Sequence, residues 1–268
     1  MDAFVNERDF ELLAQDRYTF AVLDRILRGD CELVRSDHQG MILCHSEASY
    51  PVWVWTRENC TEAELEKAWE LTASCRPIEA GFRYNVRHEL AEYFIRRAHQ
   101  AGKNLGISMQ LFAYDCPEPK APVHAADGKM HCCTREDLRE AAALHAGFYT
   151  EIGETVPPLE RRIEKTQAYI DDHAFFFWKN AAGKTVACCS YRVNQGLASI
   201  GSVYTLPGER RKHYAQNLVY QVTKLLRDAG YMPMLYTDAG YEASNACYES
   251  IGYTLRGRLC TITLNLKG

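Results

Sequence analysis

The chain has 268 residues, 47% hydrophobic and 25% charged, with a formal net charge of -4. That length allows one large or two small domains, and the composition is that of an ordinary globular protein. The acidic balance excludes a globally basic surface for nucleic acid or anionic membrane, so a cluster of positive charge here is local and points to a local ligand. Eleven cysteines are many, but none form CxxC pairs. The opening MDAFVNERDFELLAQ has acids early and no apolar signal core. No window approaches the roughly 18 apolar residues of a membrane helix. These features predict a reducing cytoplasm with cysteine used as a small apolar residue, and no membrane association. The stretch HAADGKMHCC at 124–133 has no standard zinc spacing, so no metal is expected.

Along the first half, apolar spacing predicts a helix over 7–28. CELVRSD and GMILCHS then read as a hairpin-like pair and VWVWT as a further strand. A helix capped by Thr61 follows, then the strand GFRYNV, the helix HELAEYFIRRAHQAG and the strand ISMQLFAYD. The aromatics Trp53, Trp55, Phe82 and Tyr84 alternate at strand spacing and are read as core. DCPEPKAPVHAADGK at 115–129 holds three prolines and little apolar content. It is the natural linker, dividing the chain into domains 1–115 and 130–268 with the linker at 116–129.

The second half parses as a short strand MHCCT, with Thr134 and Asp137 spaced as a capping box. Two helices follow, REDLREAAALHAGFYTEIG and LERRIEKTQAYIDDH, separated by Pro157-Pro158. AFFFWKN, TVACCSYRV and ASIGSVYTL form a meander with short turns. A basic loop leads into a helix ending at Gly230, then come the strand MPMLYTDA, the helix EASNACYESIG and a final strand or pair, YTLRGRLCTITL. The first half runs through a similar order of elements, as a worn copy of the second. The fold class is therefore α/β (α+β), each half a mixed, mostly antiparallel sheet flanked by helices.

The loop VYTLPGERRKHYA at 203–215 is the informative stretch. Arg210, Arg211, Lys212 and His213 stand at the mouth of a helix whose dipole is already positive. A helix start has about four unpaired N–H groups, so added positive charge suits an anion, and a diphosphate is the natural fit. The run RRKH is too short, and too poor in interleaved aromatics, for nucleic acid. An exposed basic turn is the bland alternative.

The loop and the order of elements around it resemble the GNAT superfamily of acetyl-CoA-dependent N-acetyltransferases. That family's pyrophosphate loop is Gln/Arg-x-x-Gly-x-Gly/Ala after the fourth strand. Arg210 and Ala215 match it, Lys212 and Tyr214 lie within it, and His213 stands where glycine is usual. Glycine there allows positive φ and close approach, so histidine is a departure. LYTDAGYEASNACYESIGY at 235–253 resembles the family's later segment. The resemblance implies that Asn245 contacts the pantetheine arm and that Tyr248, on the same helix face, protonates the leaving thiolate. It also implies that Val203, Tyr204 and Thr205 line the acyl and pantetheine groups beside a strand bulge, with which Gly201 is compatible. The implied co-substrate is acetyl-CoA, and the acceptor is a primary amine of a small molecule or peptide.

The fourth strand lacks the carboxylate that many members use as a base. Glu151 and Glu154 are the nearest candidates by topology; they equally suit a solvated loop, and Tyr204 or a water chain could substitute. Direct attack needs no covalent enzyme intermediate, so Cys247 and the Cys188-Cys189 pair are not expected to be nucleophiles. A non-catalytic CoA-binding or scaffold module with the same fold is the alternative function. The first half carries neither the loop nor the Asn-x-x-Tyr pair, so as a second GNAT-like fold it would have lost the cofactor site. Nothing in the sequence names the acceptor or sets an oligomeric state.

Overall fold

Capping residues open the first helix, α1 (Glu7–Ala14), in a computed structural model that describes residues 1–29, 31–79 and 81–264. The Arg8 N–H donates to Asn6 Oδ1 at 2.9 Å, and Asp9 answers by accepting from the Asn6 N–H at 2.8 Å. The single helix expected over 7–28 is instead two, because α2 (Ala21–Leu27) starts afresh after a turn. Asp16 in that turn accepts from Trp55 Nε1 at 2.8 Å and pairs with the Arg87 guanidinium. Those distant partners draw the chain out of the helix path, which local spacing cannot reveal.

Strands β1 (Leu33–Ser36), β2 (Met41–His45) and β3 (Val52–Thr56) form an antiparallel meander, with Cys44 opposite Trp53. Helix α3 (Glu62–Cys75) starts at the capping box of Thr61 and Glu64, then crosses to β4 (Arg83–Val86), which runs parallel to β3. Helix α4 (His88–Gln100) and strand β5 (Leu105–Asp115) follow. Every residue of β2 and β3 is buried because both sheet faces are covered. Met41, Leu43, Val52, Val54 and Tyr84 pack on one face; Ile42, Cys44, Trp53 and Trp55 pack on the other. That is the two-residue alternation of a strand, and it makes these aromatics core.

The second set of elements is β6 (Lys129–Cys132), α5 (Leu138–Glu151), α6 (Leu159–Asp171), β7 (Phe175–Lys179), β8 (Thr185–Asn194) and β9 (Leu197–Thr205). Helix α7 (Tyr214–Asp228), strand β10 (Met232–Asp238) and helix α8 (Glu242–Ser250) complete it. β6 through β9 pair antiparallel in order, and β10 lies parallel to β9. α7 is the crossover that a parallel pair requires. The Thr134–Asp137 capping box forms, with the Thr134 N–H donating to Asp137 Oδ2 at 2.8 Å.

By compactness the chain falls into two units. The first holds Met1–Ala113 with Thr237–Tyr241 and the chain from Leu255; the second holds Tyr114–Tyr236 and Glu242–Thr254. The expected division at 116–129 differs from this in two ways. The last strand, β11 (Thr254–Leu264), pairs antiparallel with β4, Cys260 opposite Val86, and lies between β4 and β5 in the first unit. The stretch expected to be a linker is laced to the second unit. The Cys116 N–H donates to Pro233 O and the Lys120 N–H to Ile251 O, both at 2.9 Å. Trp178 Nε1 donates to Asp127 O at 2.7 Å.

Candidate active site

Every candidate site residue lies in the second unit, on three pieces of chain and, for Glu151 and Glu154, at the end of α5. The first is β9. Cys188 pairs with Tyr204, and Ser190 pairs with Gly201. Two residues, Ser202 and Val203, therefore face the single Cys189, which is a β-bulge. Ser202 takes φ +52, a left-handed conformation that L side chains avoid. Its Oγ lies 3.2 Å from His145 Nε2 on α5, and His145 Nδ1 lies 3.2 Å from Thr166 Oγ1 on α6. Burial, with the charges of Lys165, Arg192 and Arg162 nearby, pushes His145 down to about 4, so the ring is neutral. Val203 and Thr205 flank Tyr204, whose ring rests on Gly147 of α5. A Cβ at 147 would lie 2.6–2.8 Å from that ring, so the contact requires glycine.

The second piece is the basic loop. Pro207–Glu209 make one 3-10 turn, Arg211 takes φ +65, and His213 takes φ +61 just before α7. Left-handed steps of this kind occur where successive N–H groups form anion-binding concavities, and these two lie directly before α7. His213 thus adopts the conformation for which glycine is usual. Its ring packs on His124 at 4.8 Å between centroids, and its Nδ1 lies 3.1 Å from Gln216 Oε1.

The loop's charges are partly committed. Arg210 Nη2 donates to Glu151 Oε2 at 2.5 Å, and its Nε donates to Thr205 O at 3.3 Å. The two charged side chains are 44% and 40% exposed, so the pair is a weak one that an anion can displace. Lys212 and Lys184 both donate to Glu209, at 2.8 and 2.9 Å, and these hydrogen bonds hold its carboxyl below the usual range. Arg211 is exposed and makes no side-chain hydrogen bond or ion pair among the described residues. The Tyr214 side chain is turned to Asp127, whose hydrogen bond pushes the phenol up to about 12. Tyr214 therefore offers an anion its backbone alone. Ala215, half-buried in the first turn of α7, adds no bulk there.

The third piece is α8. Asn245 and Tyr248 are both buried on one helix face, as their three-residue spacing predicts. The Tyr248 ring meets Tyr253 edge-on at 6.0 Å, and its hydroxyl has no hydrogen-bond partner among the described residues. Burial pushes that phenol well up, so it holds its proton at any physiological pH. Burial likewise raises Cys188 and Cys189, and lifts Cys247 to about 11, which keeps these thiols protonated. Glu154 follows α5, with its N–H donating to Tyr149 O at 2.9 Å.

Sequence reading missed Glu209, His145, Gly147 and His124. Glu209 had a local signal, an acid directly before the basic run. The others act through contacts that no spacing encodes.

No helix among the described residues is long and apolar enough to cross a membrane. No curated protein matches the chain in sequence. Among solved structures, one similar fold is a GCN5-related N-acetyltransferase from Kribbella flavida, 15% identical, with TM-score 0.66 over 94% of this chain and 95% of that one. A Drosophila protein is 14% identical, with TM-score 0.65 over 95% and 89%. A GCN5-related N-acetyltransferase from Sphaerobacter thermophilus is 15% identical, with TM-score 0.62 over 90% and 85%. Identities this low carry the fold alone. The family model for the acetyltransferase (GNAT) family matches residues 138–253, the span that holds the bulge, the loop and α8. Over those residues the chain matches the GNAT acetyltransferase family model, whose general chemistry is acyl transfer.

Proposed function

We propose that this domain moves an acetyl group from acetyl-CoA to a primary amine of a small molecule or peptide, by direct attack. The observation that carries the reading is the placement of the β9 bulge directly upstream of the left-handed loop at the α7 N-terminus. Bound there, acetyl-CoA supplies an activated thioester. Arg210, Arg211 and Lys212, with the backbone N–H groups of 211–215, are proposed to hold the diphosphate, His213 contributing its backbone. Val203, Tyr204 and Thr205 would run along the pantetheine arm, with Asn245 opposite, and donors at the bulge would stabilise the charge on the acyl oxygen. Tyr248 keeps the proton that a departing thiolate needs. Glu151, whose pair with Arg210 an anion can displace, and Glu154 are the candidates to take a proton from the amine. We read the first unit as a degenerate GNAT-like copy without a cofactor site, and the compartment as the cytoplasm, since none of the described cysteines forms a disulfide.

Calorimetric titration of the full chain tests this with acetyl-CoA, CoA and dephospho-CoA. Micromolar binding is expected, weakened at least about tenfold when Arg210 and Arg211 become Ala. No binding at millimolar cofactor refutes the reading. Tyr248→Phe then separates an enzyme from a binding module: once screening supplies an acceptor, kcat should fall while acetyl-CoA affinity stays.

A further inference from the structure

We propose that His145 is a positioning residue for this reaction: through Ser202 it sets the β9 bulge that aims a backbone N–H at the acyl carbonyl. The inference rests on the acyl-transfer reading above. Ser202 holds φ +52 in mid-strand. A non-glycine residue in that region is strained and persists only where its surroundings impose it.

The surroundings are a buried chain of polar atoms across three elements. Thr166 on α6 is 0% exposed, His145 on α5 is 2% and Ser202 is 7%. Each ring nitrogen of His145 sits 3.2 Å from a hydroxyl oxygen, Thr166 on one side and Ser202 on the other. The ring itself is packed by Tyr149 at 5.1 Å, Phe175 at 6.1 Å and Tyr169 at 6.3 Å between centroids. A sealed histidine in an aromatic box is a rigid strut.

The strut controls a single peptide plane. Ser202 Oγ is held by His145, and Ser202 O accepts from Cys188 Sγ at 3.5 Å. In a trans peptide the N–H of the next residue points opposite to that carbonyl. Fixing the Ser202 carbonyl therefore fixes the direction of the Val203 N–H. In its place a residue with an apolar side chain would leave the Ser202 hydroxyl buried without a partner, and the plane would keep only the weak thiol contact to its carbonyl. His145 is not itself a base for the amine: both nitrogens are engaged, and the ring is out of solvent.

The test compares acetyl-CoA with S-ethyl-CoA, the thioether that lacks the carbonyl, by calorimetry on the full chain. The proteins are the unmodified chain, His145→Leu, His145→Gln and Ser202→Ala, with melting temperatures alongside. The unmodified chain should prefer acetyl-CoA by about tenfold. His145→Leu and Ser202→Ala should erase that preference by weakening acetyl-CoA alone, and His145→Gln, which can still hydrogen-bond Ser202, should restore most of it. Equal loss of both ligands, an intact preference in both disrupted variants, or no preference in the unmodified chain overturns the proposal. If His145→Leu does not fold, Ser202→Ala decides. Failure of the unmodified chain to bind either ligand overturns the acyl-transfer reading and this role with it; normal binding with an unmoved preference overturns this role only.

Discussion

At His213 the backbone sits at φ +61 with an exposed ring above it. Replacing it by glycine relieves about 1–2 kcal/mol of local strain, more than the surface contacts to Gln216 and His124 are worth. His213→Gly should raise the melting temperature by about 2–4 °C. It should also tighten acetyl-CoA binding severalfold, because the ring no longer crowds the anion's approach. Calorimetry reads both, and a lower melting temperature with weaker binding refutes the strain argument. The departure from the family's loop was plain in the sequence. That histidine would simply adopt the glycine conformation was not, since it depends on the turn at Pro207–Glu209 and on His124 behind it.

His145 makes a pH prediction. Its folded value is about 4 against an ordinary 6.5. Above pH 6.5 the ring is neutral in both states and contributes nothing. As pH falls from 6.5 toward 4 the unfolded chain takes up a proton that the folded chain refuses, so stability is lost through that window. The loss amounts to about 3 kcal/mol, at about 1.4 kcal/mol per pH unit. Urea unfolding across that range should show the slope in the unmodified chain and a shallower one in His145→Gln. Identical slopes would mean the ring is not buried neutral.

Between elements, the contact of α5 with β9 hangs on Gly147. An added methyl would meet Tyr204 at 2.6–2.8 Å. Gly147→Ala should destabilise the chain by about 1–3 kcal/mol despite alanine's better helix propensity. In a Tyr204→Ala background the same change should be neutral or stabilising by up to about 1 kcal/mol. Urea midpoints for the four proteins of the cycle decide it; additivity would show that the two residues do not meet. At this scale the sequence was most readable where pattern and cap agreed, as at Thr61 and Thr134. It was least readable at 15–20, where Trp55 and Arg87 claim Asp16 from far along the chain.

For the whole molecule, β11 matters most. Its alternating residues supply Leu259 to one core of the first unit, and Cys260 and Ile262 to the other. A chain stopped after residue 253 removes the strand between β4 and β5 and opens an edge on each of them, the β5 edge a long one. It should be poorly soluble. The fragment 130–268, cut at the expected linker, should fare no better, because it exposes β11 without its partner. Gel filtration and circular dichroism of both check this; a monomeric, folded 130–268 would show that β11 can do without β4.

By itself the sequence determined the alternation of helix and strand, the basic helix mouth at 210–213, and the helix face shared by Asn245 and Tyr248. These rest on periods of two and 3.6 and on spacings of a few residues, which are local properties of the chain. Only the tertiary structure decided that β11 pairs with β4, that Arg210 is bound to Glu151, and that His145 reaches Ser202. Each joins residues at least 57 positions apart. Contacts at such separation follow from which faces must be buried together, and no local pattern carries that information.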